Sequence, residues 1–83
     1  MTKNQYFVLN ALSNPWCEIV DKYLVVYSVG FERILSERPI HPLTMNALVR
    51  KGWIEEGRRF ERYPPAFGKT WRITKKGQKA LDK

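Results

Sequence analysis

The chain has 83 residues, 43% hydrophobic and 28% charged, which is the balance of a folded domain and excludes a disordered chain. That length suits one domain spanning residues 1–83 and excludes a second with its own core. Fifteen Lys+Arg against eight Asp+Glu give +7 and an isoelectric point near 9.9. Such a surface favours a polyanionic partner; the plainer alternative is a basic, inert solvated surface.

Residues 3–13 place Phe7, Val8, Ala11 and Leu12 at i, i+1, i+4 and i+5, with Tyr6 and Leu9 flanking them. This spacing predicts an amphipathic helix with that stripe facing inward. Ser13-Asn14-Pro15 ends it, because a residue before proline avoids the αR region. Residues 16–35 admit two readings. Tyr23-Leu24-Val25-Val26-Tyr27 is dense in β-branched and aromatic residues, so Asp21-Lys22 turns a strand at 17–20 back against a strand at 23–27. Gly30 then allows a bend before residues 31–35. The competing reading is a helix over 18–27, since Ile19, Val20, Tyr23, Leu24 and Tyr27 also fall at helical spacing. Composition favours the hairpin.

A second helix is predicted over residues 41–51. Pro42 suits the first turn, where its missing N–H is harmless. Met45, Leu48 and Val49 supply a buried stripe, and Gly52 supplies a left-handed C-cap. Arg50 and Lys51 sit where positive charge suits the helix dipole. The opposite face offers Leu43, Thr44, Asn46, Ala47 and Arg50, with no carboxylate between Pro42 and Lys51. A side chain entering the major groove must reach base edges without repelling phosphates, and Asn pairs bidentately with adenine as Arg does with guanine. The base-reading candidates are therefore His41, Thr44, Asn46, Ala47 and Arg50, against the alternative of an ordinary surface helix. His41, beside Pro42, also fits a purely structural place at the helix start.

A β-hairpin follows. Trp53-Ile54 starts a strand, residues 57–63 alternate cationic and aromatic side chains, and Pro64-Pro65 with Gly68 shape the tip. Lys69-Thr70-Trp71-Arg72-Ile73 returns, with Trp71 and Ile73 on one face and Thr70 and Arg72 on the other. Arg58, Arg59, Arg62, Lys69 and Arg72 suit phosphate contacts, or an arginine in the minor groove. Phe60, Tyr63 and Phe67 read as hairpin packing in preference to base stacking. Thr74 caps a final short helix that carries Lys75, Lys76 and Lys79 and docks Ala80 and Leu81 inward. Its lysines suit backbone contacts or simple solubility.

The run Gly52-Trp53-Ile54-Glu55, the basic segment, and the ending Trp71-Arg72-Ile73-Thr74-Lys75-Lys76-Gly77-Gln78-Lys79-Ala80-Leu81 resemble the second half of a winged helix-turn-helix domain. The resemblance covers residues 40–82, and its Ile-Thr-x-x-Gly-x-x-x-Leu ending is moderately specific. It implies a small α+β winged-helix-like domain: helix, β-hairpin, reading helix, β-wing, C-terminal helix. It further implies that the helix at 42–51 enters DNA and that the hairpin is the wing. The function implied is sequence-specific double-stranded DNA binding, as a small transcriptional regulator or accessory factor; the small stand-alone form suggests a phage or mobile-element origin. A hairpin at 17–27 in place of the usual second helix departs from that pattern and puts the reading helix's orientation in question. A protein-interaction module without its own DNA target is the alternative, and RNA is a third partner class.

Enzymatic chemistry is not expected. His41 has no sequence-apparent partner, Glu55 and Glu56 point to opposite faces of a strand, and no phosphate loop or nucleophile elbow is present. No cofactor, metal or small-molecule substrate is implied. Cys17, the single cysteine, reads as a small core residue in a reducing cytoplasm. The N-terminus lacks a signal-peptide core, and the longest apolar run, residues 23–27, is too short for a bilayer, so no membrane partner is expected. A homodimer through residues 23–31 is expected if that stretch is an extended strand with an uncovered edge or face; the alternative is a monomer in which the first helix covers it.

Overall fold

In the computed structural model, which describes residues 1–58 and 68–82, the chain opens with a capping box. The Thr2 hydroxyl accepts from Gln5 N–H at 3.1 Å, and the Gln5 side-chain oxygen accepts from Thr2 N–H at 3.2 Å. Two otherwise orphaned donors are satisfied, and helix α1 (Lys3–Leu12) starts there. Its buried face is Gln5, Val8, Leu9 and Leu12, at i, i+3, i+4 and i+7. The expected stripe is corrected by one position: Leu9 is fully buried, whereas Phe7 is 51% exposed. Asn14 ends the helix region by accepting Trp16 N–H with its side chain at 2.9 Å, just ahead of the first strand.

The hairpin reading of residues 17–27 holds. Strands β1 (Cys17–Val20) and β2 (Tyr23–Tyr27) pair antiparallel with Val20 opposite Tyr23. Asp21 takes the turn at φ 56°, a region aspartate tolerates better than most residues. A 3-10 turn, Val29–Phe31, bends at Gly30 (φ 81°). The segment after it corrects the reading of residues 31–35: Phe31 belongs to the turn, and a third strand, β3 (Ile34–Pro39), runs back along β2.

Helix α2 (Pro42–Arg50) follows with Pro42 in its first turn, and Gly52 takes the left-handed conformation at φ 71° just beyond its end. Strands β4 (Ile54–Glu56) and β5 (Thr70–Ile73) form the second hairpin, and α3 (Lys75–Leu81) closes the described chain. The five strands make one antiparallel sheet in the order β3-β2-β1-β5-β4. The fold is a small α+β domain, with α1 packed on β1, β5 and both other helices.

Directly paired residues share a sheet face, so Ile19, Leu24, Trp71, Ile54 and Ile73 all point toward the helices. They meet Val8, Leu9, Leu12, Ile40 and Leu48 in the main core. The opposite face is also covered at β2, where Val25 and Tyr27 are 3% and 5% exposed. There Phe31 meets the Tyr27 ring edge-on at 5.2 Å and Trp16 at 5.0 Å.

Within the stretch 23–31, expected as a homodimer surface, Tyr23 and Val29 are exposed. Strand β2 is interior, flanked by β1 and β3, and Leu24, Val25 and Tyr27 are buried within the chain. The edge strands are β3 and β4, and the β3 edge is guarded. A bulge at Leu35 breaks its register between Ser36 and Ile34. Ile40 N–H donates inward to the Lys22 carbonyl at 2.7 Å, so Pro39, one residue earlier, puts its hydrogen-free nitrogen outward.

Candidate nucleic-acid interface

Leu48 and Ala47 anchor α2 in the core. That leaves Leu43, Asn46 and Arg50, at i, i+3 and i+7, as one exposed line, with Val49 beside it. Two expectations are corrected. Ala47, a base-reading candidate, is 7% exposed and packs inward, while Val49, expected inside, is 41% exposed. The buried face is centred on Leu48, fully buried in the core, with the small Ala47 and not the branched Val49 beside it. Thr44 is half-buried. The outer line is thus Leu43, Asn46, Val49 and Arg50, more apolar than expected and still free of carboxylate.

His41 caps α2. Its Nδ1 accepts from Leu43 N–H at 3.1 Å, so the ring proton lies on Nε2, which is left as a donor. The ring is exposed and sits at the first turn, where the sequence placed it.

The position of α3 is set by one motif. Thr74 N–H donates to the Trp53 carbonyl at 2.9 Å, and its hydroxyl donates to the Gly52 carbonyl at 2.6 Å while accepting from Gly77 N–H at 3.0 Å. A Cβ at Gly77 would collide with the Trp53 carbonyl oxygen. The Thr-Lys-Lys-Gly sequence therefore clamps α3 onto the turn between α2 and β4. Lys76 lays its stem beside Gly52, and the Lys51 ammonium stands 4.6 Å from the centre of the Trp53 ring. Arg50, Lys51, Lys75 and Lys76 gather where the end of α2 meets the start of α3, all exposed and none paired with a carboxylate among the described residues.

The cations of the second hairpin are engaged differently. Arg58 meets the Glu18 carboxylate at 3.4 Å, and Tyr27 donates its hydroxyl to the same oxygen at 2.6 Å. Both partners of that pair are largely buried, with side chains 20% and 14% exposed. Arg72 binds Glu55 at 2.9 Å and donates to the Arg58 carbonyl at 3.3 Å. Lys69 exchanges backbone bonds with Asp21: its N–H donates to the Asp21 carboxylate at 3.1 Å, and its carbonyl accepts from Asp21 N–H at 2.6 Å. Arg58 and Arg72 thus hold the second hairpin together and to the first through their side chains, whereas Lys69 does so through its backbone alone and leaves its side chain exposed. Arg59 and Arg62, with Phe60, Tyr63 and Phe67, lie outside the described residues.

Lys51 was missed as a site residue, and Arg38, exposed with its guanidinium 5.9 Å from the Phe7 ring centre, was not singled out. The helix-dipole position of Lys51 was legible, but its place over Trp53 depends on the α2–β4 turn. Arg38 sits on a strand whose pattern shows no alternation of apolar residues. Cys17 is half-buried and its thiol is pushed above the usual range by burial. Among the described residues no cluster of His, Cys, Asp and Glu is placed to hold a metal ion, and no helix is long and apolar enough to cross a membrane. Comparison with models of known families, with curated proteins and with solved structures finds no match to this chain.

Proposed function

We propose that this chain is a winged-helix-like, sequence-specific double-stranded DNA-binding domain, acting as a small transcriptional regulator or accessory factor without enzymatic activity. The observation that carries the reading is the cationic border at the end of α2 and the start of α3, without a carboxylate partner among the described residues. Arg50, Lys51, Lys75 and Lys76 adjoin an exposed helix face holding Asn46 and no acid. A polyanion supplies the counter-charges this border lacks, and Asn46 with Arg50 supplies the two side-chain types suited to adenine and guanine edges. The order helix, hairpin, capped helix, with β1 pairing onto the hairpin through β5, also supports it. The β1–β3 meander takes the place of the usual second helix in this reading.

A protein-docking role for the same face is favoured by one specific observation, the 73% exposure of Leu43 next to exposed Val49. Selection of bound duplexes from a randomised pool separates the two readings. The DNA reading predicts an enriched site, and Asn46→Ala weakens binding to it by about 1–3 kcal/mol while leaving random duplex binding unchanged. No enrichment, or an equal loss on both duplexes, removes base reading by this helix.

A further inference from the structure

Between the first half of α1, the start of β2 and the approach to α2 lies an open groove of about 270 Å³. Its floor is apolar: Val8, Leu24 and Ile40, each a member of the main core. Its rim is polar and carries positive charge without any carboxylate: Asn4, Arg38, His41 and Thr44. Phe7, the residue that the rotation of α1 leaves exposed, forms one wall, with the Arg38 guanidinium 5.9 Å from its ring centre. The N-cap bond to Leu43 holds His41 as an Nε2–H donor.

We propose that this groove binds a small organic acid: a single-ring or branched apolar body resting on Val8, Leu24 and Ile40, with its carboxylate on Arg38. The volume fits such a body and is below the usual range for a drug-sized ligand. Arg38 is suited to the anionic end because a guanidinium binds carboxylate with two parallel hydrogen bonds. Its exposed position and contact with Phe7 place it at the mouth, so the charged end stays near water while the ring enters. Glu37, the neighbouring acid, lies on the other sheet face by the alternation of the strand. A bound acid touches His41 and Thr44 in the first turn of α2, so the groove is a ligand site directly against that helix. The inference stands on the groove alone and is independent of the DNA reading.

The test is a methyl and amide NMR titration of the full chain with 4-ethylbenzoate, and separately with its neutral isostere 4-ethylbenzamide. The acid is expected to shift Val8, Leu24, Ile40 and Thr44 saturably and to bind on the order of tenfold more tightly than the amide, the gain of one charge-assisted hydrogen bond over a neutral one. Arg38→Gln removes that preference, lowering the acid to the affinity of the amide, and Arg38→Lys restores part of it. Because Arg38 is exposed, the dispersed spectrum of each variant reports that the fold is kept. Absence of saturable shifts at the groove, equal binding of acid and amide, or an equal loss of both in Arg38→Gln overturns the proposal.

Discussion

The hairpin side and the helix side of this molecule carry the same kinds of cation in opposite states. On the hairpin side, Arg58 is held by Glu18 under the Tyr27 hydroxyl, and Arg72 is held by Glu55. On the helix side, Arg50, Lys51, Lys75 and Lys76 stand in solvent without a carboxylate partner among the described residues. A net charge of +7 therefore does not say where a polyanion will sit. A carboxylate beside an arginine already offsets its charge and weakens its pull on a phosphate, whereas an unpaired lysine only exchanges its counterions. The described arginines of the segment that looked most basic in the sequence are held in ion pairs, with Lys69 exposed beside them, and the less conspicuous junction of α2 and α3 gathers four cations without a carboxylate partner among the described residues.

The largest effect is expected from breaking the platform of the helix side. Gly77→Ala forces a methyl onto the Trp53 carbonyl, and overpacking of this kind costs about 1–3 kcal/mol or more. Urea unfolding followed by tryptophan fluorescence reads this directly. Full stability in the variant would show that α3 is not clamped as described.

Arg58→Ala separates the two sides. It leaves Glu18 short of a partner in a largely buried position, a loss of about 1–3 kcal/mol in stability, with the salt dependence of DNA binding unchanged. The exposed Arg72–Glu55 pair is worth less, and Arg72→Ala should cost no more than about 1 kcal/mol. A drop in DNA salt dependence with unchanged stability for Arg58→Ala would reverse the assignment of the two sides.

The smallest effect concerns Cys17. Its folded-state thiol is raised above the unfolded one by burial, so the folded chain holds this proton more tightly. The resulting contribution to stability is full below the ordinary thiol pKa of roughly 8.5 and is lost as pH rises through the folded value. Alkylation by iodoacetamide at pH 8 should run slower than for a free cysteine, since the thiolate is the reactive form. A rate equal to that of a free thiol would mean that Cys17 is not desolvated.

The difference between β2 and β3 explains how much of the fold was legible. Strand β2 buries side chains on both faces, so its β-branched and aromatic run carried the signal. Strand β3, Ile34-Leu35-Ser36-Glu37-Arg38-Pro39, is held at the edge by backbone pairing to β2 and has only exposed or half-buried side chains. Nothing in its side-chain pattern had to alternate. The bounds of both longer helices were readable from Pro15, Pro42 and Gly52, yet the buried face of each was misjudged by one position. A window of several apolar residues fits two adjacent faces, and only the packing of Leu9 and Leu48 chooses between them. For the site, the type and exposure of Asn46 and Arg50 were readable. The burial of Ala47 and the pairing of Arg58 with a residue forty positions away were not, because both depend on how distant segments meet.

The central claim is that the helix side is the polyanion-binding side, and fluorescence anisotropy of a labelled duplex across a salt series tests it most directly. For the natural chain, log K is expected to fall steeply with log salt concentration. In the triple variant Arg50→Gln, Lys51→Gln, Lys76→Gln the slope should flatten by about 0.9 for each phosphate no longer neutralised, with no more than about 1 kcal/mol of stability lost from the Lys51–Trp53 contact. A natural chain whose binding is absent or insensitive to salt, or a triple variant with the full slope, would contradict it.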